Sequence, residues 1–204
     1  MNIPVRAAGQ VRVGIAIEIP EPFSSELSAA RAASGDALAA TVPPHITLLG
    51  PTVLDLVDLP AARAQLRSAA RSAAPFRVRL RGTATFRPVS PVVFVAVAQG
   101  IAECERLERA VRSGVLDQDL RFNYHPHVTI AHEVPDTDLD KAFDALADYE
   151  ADFDVSCFWQ YEHGDDGVWR PQVRFDLTGD GPVRAGRGLG GRASGWWHRR
   201  TGAR

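Results

Sequence analysis

Apolar and polar residues alternate strictly near the start of the chain. Val11, Val13, Ile15, Ile17 and Ile19 fall on one side of VRVGIAIEI, the two-residue period of a half-buried β-strand. The following stretch, PEPFSSELSAARAASGD over 20–36, opens on proline and serine, closes on Gly35 and predicts a helix. A strand over HITLL comes next, then an Ala/Arg-rich helix over about 58–74 that Pro75 stops. A strand over 76–86, a turn at RPVSP and a strand over 92–98 follow. The pattern then recurs: helix about 101–114, strand 127–131, helix 137–149, strand 153–162, the turn HGDDG and a last strand over roughly 168–177.

This is an internal repeat. VRVGIAIEI aligns with PVVFVAVAQ at an offset of 80, and RAASG with RAVRSG, ending at Gly35 and Gly114, at 79. PPHITLLGP and YHPHVTIAHE share the phrase Pro-His-(Ile/Val)-Thr-(Leu/Ile) at an offset of 82, and PFRVRL meets DFDVSC, Phe76 on Phe153, at 77. Four landmarks in constant order predict an α+β fold. Two pseudo-symmetric lobes with antiparallel sheets would surround a central cleft, the repeats spanning about 10–87 and 91–178 of one bilobal domain, 1–179. A pseudo-twofold axis would bring the two histidine strands face to face.

Composition narrows the class. Of 204 residues, 45% are apolar and 24% charged, ordinary for a globular protein in water. No apolar run approaches the ~18–20 residues of a membrane span, and the N-terminus lacks a signal-peptide pattern. A cytoplasmic monomer with no membrane partner is expected. Cys104 and Cys157 are too few and too far apart for a disulfide framework or a cysteine zinc site. Residues 1–179 carry 17 basic and 24 acidic side chains, whereas 180–204 carry six arginines and one aspartate. That segment, DGPVRAGRGLGGRASGWWHRRTGAR, reads as a flexible, solvated tail. The alternative is a grip on RNA through its arginines and Trp196–Trp197.

The repeated phrase carries chemistry. Residues i and i+2 of a strand share a face, so His45 lies beside Thr47 and His127 beside Thr129, opposite the apolar Ile46, Leu48, Val128 and Ile130. A shared cleft would then hold two imidazoles and two hydroxyls. Breaking a phosphodiester needs a base for the attacking oxygen and an acid for the departing one. Histidine serves as either near neutral pH, and the hydroxyls could hold the phosphate oxygens. No metal or other cofactor is required.

The paired HITL and HVTI resemble the two HxTx motifs of the two-histidine (2H) phosphoesterase superfamily. The nearest branch is similar to bacterial proteins named for 2′-5′ RNA ligase and RNA 2′,3′-cyclic phosphodiesterase activity. The resemblance covers about residues 10–178. It implies a two-lobed α+β fold, His45 and His127 as catalytic acid and base, and Thr47 and Thr129 as substrate phosphate contacts. It further implies metal-independent hydrolysis of 2′,3′-cyclic phosphates on RNA ends or small nucleotides, with 2′-5′ RNA ligation as the reverse reaction. Many relatives follow the second motif with arginine, where this chain has His132. A neutral imidazole is a poorer phosphate ligand than a guanidinium.

Two other readings come from different classes: a non-catalytic module binding nucleotides or RNA ends, and a histidine-metal hydrolase using His125, His127 and His132. No Asp or Glu sits in either motif, so His125 and His132 read as structural or supporting histidines. Phe122 and Tyr124 could stack on a base, but core packing is the expectation retained for both.

Overall fold

The computed structural model describes residues 3–180, and the Gly/Arg-rich tail past Asp180 lies outside the described residues. The elements run β1 (Gln10–Glu18), α1 (Phe23–Ala33), β2 (His45–Asp55), α2 (Leu59–Ser72), β3 (Phe76–Thr85) and β4 (Val92–Gln99). They continue with α3 (Ile101–Val111), β5 (His127–His132), α4 (Asp136–Ala145), β6 (Glu150–Val155), β7 (Cys157–His163) and β8 (Trp169–Asp176). No described helix is long and apolar enough to cross a membrane.

The strands form two four-stranded sheets of order β2-β1-β7-β8 and β5-β4-β3-β6, antiparallel throughout. The fold is α+β, with two pseudo-symmetric lobes. Among the described residues, each motif strand, β2 or β5, is the edge of its sheet and pairs only with the first strand of its own repeat.

The sheets do not coincide with the repeats. β3 belongs to the first repeat by sequence yet lies between β4 and β6 in the second sheet. Phe76 and Phe153, aligned as equivalents, therefore sit on neighbouring strands, with Val78 opposite Phe153. The single strand expected over 153–162 is two strands in different sheets. β6 pairs with β3, while β7, beyond Ser156, pairs with β1 and β8. Alternation alone could not reveal the switch, because the polar and apolar positions continue across Ser156.

The helices lock the lobes together. α1 packs on β5 and α3 on β2, so each lobe's first helix covers the other lobe's motif strand. Ile46 and Leu48, Val128 and Ile130, Leu27 of α1 and Leu107 of α3 all belong to one buried cluster. Each such side chain contributes about 1.5–3 kcal/mol relative to exposure. Gly100 makes the β4–α3 junction possible: its φ is +93°, and a Cβ would lie 2.7 Å from the Arg77 carbonyl oxygen.

Candidate active site

β2 and β5 touch without sharing a ladder, so the seam between the sheets brings the two histidine phrases together. Their apolar positions Ile46, Leu48, Val128 and Ile130 are buried under the helices. His45, Thr47, His127 and Thr129, all half-buried, line one cleft of ≈ 790 Å³.

Both imidazoles are held in the same way. His45 Nδ1 donates to the Pro43 carbonyl at 2.8 Å, and His127 Nδ1 to the His125 carbonyl at 2.7 Å. A carbonyl oxygen can only accept, so each Nδ1 carries the proton and each neutral ring keeps its lone pair on Nε2. Burial pushes both toward the neutral form. For His45 the lowering is opposed by the hydrogen bond to Pro43 and reinforced by the Arg31 cation. His127 falls to about 4, again through burial first, with His125 and His45 adding to the shift and the His125 carbonyl opposing it.

A β-bulge follows the threonine in both strands. Ala16 faces Thr47 and Ile15 faces Leu49, leaving Leu48 as the extra residue. Phe94 faces Thr129 and Val93 faces Ala131, leaving Ile130 as its counterpart. A bulge shifts the alternation by one position. Strict alternation from His127 would point His132 into the core, whereas the bulge turns it to the cleft wall. His132 Nε2 lies 3.5 Å from Glu133 Oε1, and burial lowers its pKa.

The other sequence candidates divide. His125 packs its ring against Phe86 and Phe94, with centroids at 5.9 and 5.6 Å, and stacks on His127 at 6.4 Å. Tyr124 packs on the core, as expected, and its hydroxyl donates to the Thr47 carbonyl at 2.9 Å. Phe122 departs from the expectation of core packing. It is 57% exposed at the cleft mouth, with the Arg121 guanidinium 5.1 Å from its ring centroid. The segment before β5 follows an irregular path, so the period-two pattern that buries Tyr124 does not extend back to Phe122. Among the described residues, no group of three or more His, Cys, Asp or Glu side chains could hold a metal ion.

Sequence reasoning missed Arg31. It lies on α1, 3% exposed, and lines the cleft beside His45. A signal existed: Arg31 follows Leu27 by four residues, which places a lone arginine on the helix's buried face.

Comparison with known proteins shows the family and the fold. Residues 19–167 match the 2′-5′ RNA ligase superfamily. A Bacillus pumilus protein carrying the name phosphoesterase is 28% identical over 146 residues, which are 70% of this chain and 84% of that protein. The crystal structure of TT0787 of Thermus thermophilus is 26% identical with a TM-score of 0.55, covering 83% of this chain and all of the other (100%). Escherichia coli LigT, crystallised with 3′-AMP, shares the fold at 17% identity and a TM-score of 0.58, over 83% of this chain and 99% of LigT. With a match over most of its length, the chain belongs to the 2′-5′ RNA ligase superfamily of two-histidine phosphoesterases.

Proposed function

We propose that this chain is a metal-independent cyclic phosphodiesterase that opens 2′,3′-cyclic phosphates on RNA ends or small nucleotides. The observation carrying the reading is the matched pair of imidazoles, each with Nδ1 fixed by a carbonyl two residues back, lining one cleft with a threonine beside each. Orientation of this kind removes much of the entropic cost of bringing acid, base and phosphate together.

In the proposed reaction the phosphate sits between the rings, its non-bridging oxygens hydrogen-bonded by Thr47 and Thr129. One Nε2 takes a proton from water as the water oxygen attacks phosphorus. On the opposite side, the other histidine, protonated at Nε2, gives its proton to the ribose oxygen as the P–O bond breaks. The products are a phosphomonoester and a free hydroxyl, and the proton has moved from one imidazole to the other. With a ribose 5′-hydroxyl in place of water as the attacking group, the same steps join a 2′-5′ linkage, and run backwards they cleave it. LigT, which shares this fold, has been crystallised with 3′-AMP, the kind of product that opening such a ring on adenosine would give.

The pH dependence follows from the two buried rings. One of them must be protonated to act as acid, and burial lowers both pKa values. The kcat/KM profile should therefore peak on the acid side of neutrality and fall as pH rises above it. The test is turnover of a nucleoside 2′,3′-cyclic phosphate from pH 4 to 9 with EDTA present. Undiminished turnover in EDTA with that profile is expected. Activity that EDTA abolishes and zinc restores would instead identify a histidine-metal hydrolase, and nucleotide binding without turnover a binding module.

A further inference from the structure

Three arginines line the cleft: Arg31, Arg112 and Arg121. Arg121 is exposed at the mouth against Phe122. Arg112 is held at Nε by Glu108 Oε1 at 2.5 Å, with Asp117 3.9 Å from Nη1. Two carboxylates thus offset its charge. Arg31 is held differently. Its Nε donates to Asp36 Oδ2 at 2.8 Å and its Nη1 to the Val42 carbonyl at 3.2 Å. The other oxygen of Asp36 accepts from the Leu38 N–H at 2.8 Å.

This leaves Nη2 of Arg31. No group among the described residues hydrogen-bonds it. It is not sealed from solvent either, because the buried unpartnered side-chain nitrogens of the described residues are Arg79 Nε and Gln160 Nε2. In a guanidinium 3% exposed, lining the cleft and clamped at two nitrogens, the third nitrogen is the one left to donate to a ligand there. Its charge reaches both His45 and His132, from which it lies within electrostatic range.

We propose that Arg31 is a direct substrate contact, its Nη2 donating to a non-bridging oxygen of the phosphate that His45 and His127 flank. The assignment rests on the phosphoesterase reading of the cleft and extends it. Arg31 supplies a fixed cation where negative charge grows on the equatorial oxygens, and the clamp means that no reorientation is needed during the reaction.

The test is direct binding of inorganic phosphate, measured by calorimetry at pH 7 and compared with turnover of a nucleoside 2′,3′-cyclic phosphate. Arg31→Met with Asp36→Asn exchanges the buried ion pair for neutral side chains, so that no orphaned charge confuses the result. Phosphate affinity and kcat/KM should each fall about 10²-fold. Arg31→Lys keeps a charge but loses the fork and should fall about tenfold. Asp36→Asn alone keeps the cation but loosens its clamp and should lose less phosphate affinity than the double variant, an outcome that a purely structural ion pair would not give. Arg106→Gln, which removes one positive charge outside the cleft, should change affinity less than twofold. If the double variant fails to fold, Arg31→Lys decides alone, and affinity within twofold of wild type overturns the proposal. Equal turnover by wild type and the Arg31 variants also overturns it and leaves the phosphoesterase reading standing. A wild type that neither binds phosphate nor opens the ring removes both.

Discussion

The half-site around His45 and the half-site around His127 share a backbone and differ in surroundings. In each, Nδ1 bonds a carbonyl two residues back, a threonine stands two residues on, and a bulge follows. Around His127 the neighbours are aromatic: Phe86 meets the ring edge-on, with centroids 5.0 Å apart and planes at 89°, and Phe94 lies at 5.0 Å. Around His45 the neighbours are the Arg31 cation and a small apolar niche of ≈ 60 Å³, walled in part by Leu49, Tyr161 and Trp169. The repeat therefore reproduces the geometry that aims a proton donor or acceptor. The differences in field and solvation between the two rings come chiefly from side chains outside the repeated phrase.

The largest effect separates the shared part from the different part. His45→Ala and His127→Ala should each lower kcat/KM by about 10³-fold. The double variant should lose little more than either, because in the proposed reaction both rings act in one transition state. Steady-state kinetics on a nucleoside 2′,3′-cyclic phosphate would measure this. A single variant that stays within tenfold of wild type would show that its half-site does not take part in the chemistry.

How much of this could be read from the chain follows the same division. The phrases PHITL and PHVTI, their offset and the apolar partners Ile46, Leu48, Val128 and Ile130 disclosed the paired strands, because period-two patterning and repetition are local signals. The bulges were not legible: an extra residue such as Leu48 or Ile130 is defined only by its partner strand. For that reason His132 could not be placed on a face from its position in the sequence. The departure of β3 into the second sheet was equally hidden, since strand pairing at long range leaves no periodicity behind. Arg31 stood in a readable position, but its role depends on Asp36 and Val42 folding back upon it.

The next effect concerns burial of the two rings. His127 titrates near 4 in the folded protein against about 6.5 in an unfolded chain. Between those values the unfolded chain binds a proton that the native ring refuses. The associated stability is thus fully present above pH 6.5 and is lost as pH falls toward 4. The loss is about 3 kcal/mol for this one group, and His45 shifts in the same direction. Urea unfolding of wild type and His127→Gln between pH 4 and 7.5 isolates it, since other titrating groups cancel in the difference. The variant should lose less stability on acidification by about that amount. Parallel curves would mean that the ring between Phe86 and Phe94 is solvated after all. His45→Gln sharpens the comparison by showing whether the half-site beside a cation carries the larger shift.

The smallest effect tests how the halves hold one another. β2 and β5 are edge strands, and one carbonyl of each accepts a side-chain hydrogen bond from across the seam. Tyr124 donates its hydroxyl proton to the Thr47 carbonyl at 2.9 Å, and Ser34 Oγ reaches the Ile130 carbonyl at 3.0 Å. Ser34 also lies 2.7 Å from the Arg31 carbonyl, so its single proton is shared. Tyr124→Phe leaves the Thr47 carbonyl without that donor and should cost about 1 kcal/mol. Ser34→Ala should cost less, because its proton is divided between two acceptors. The two bonds hold opposite strands, so denaturant melts of the singles and the double should add within about 0.5 kcal/mol. Coupling well beyond that would mean that the seam responds as one unit. Loosening the strand under His45 would then also disturb His127, and the two half-sites would be mechanically a single site.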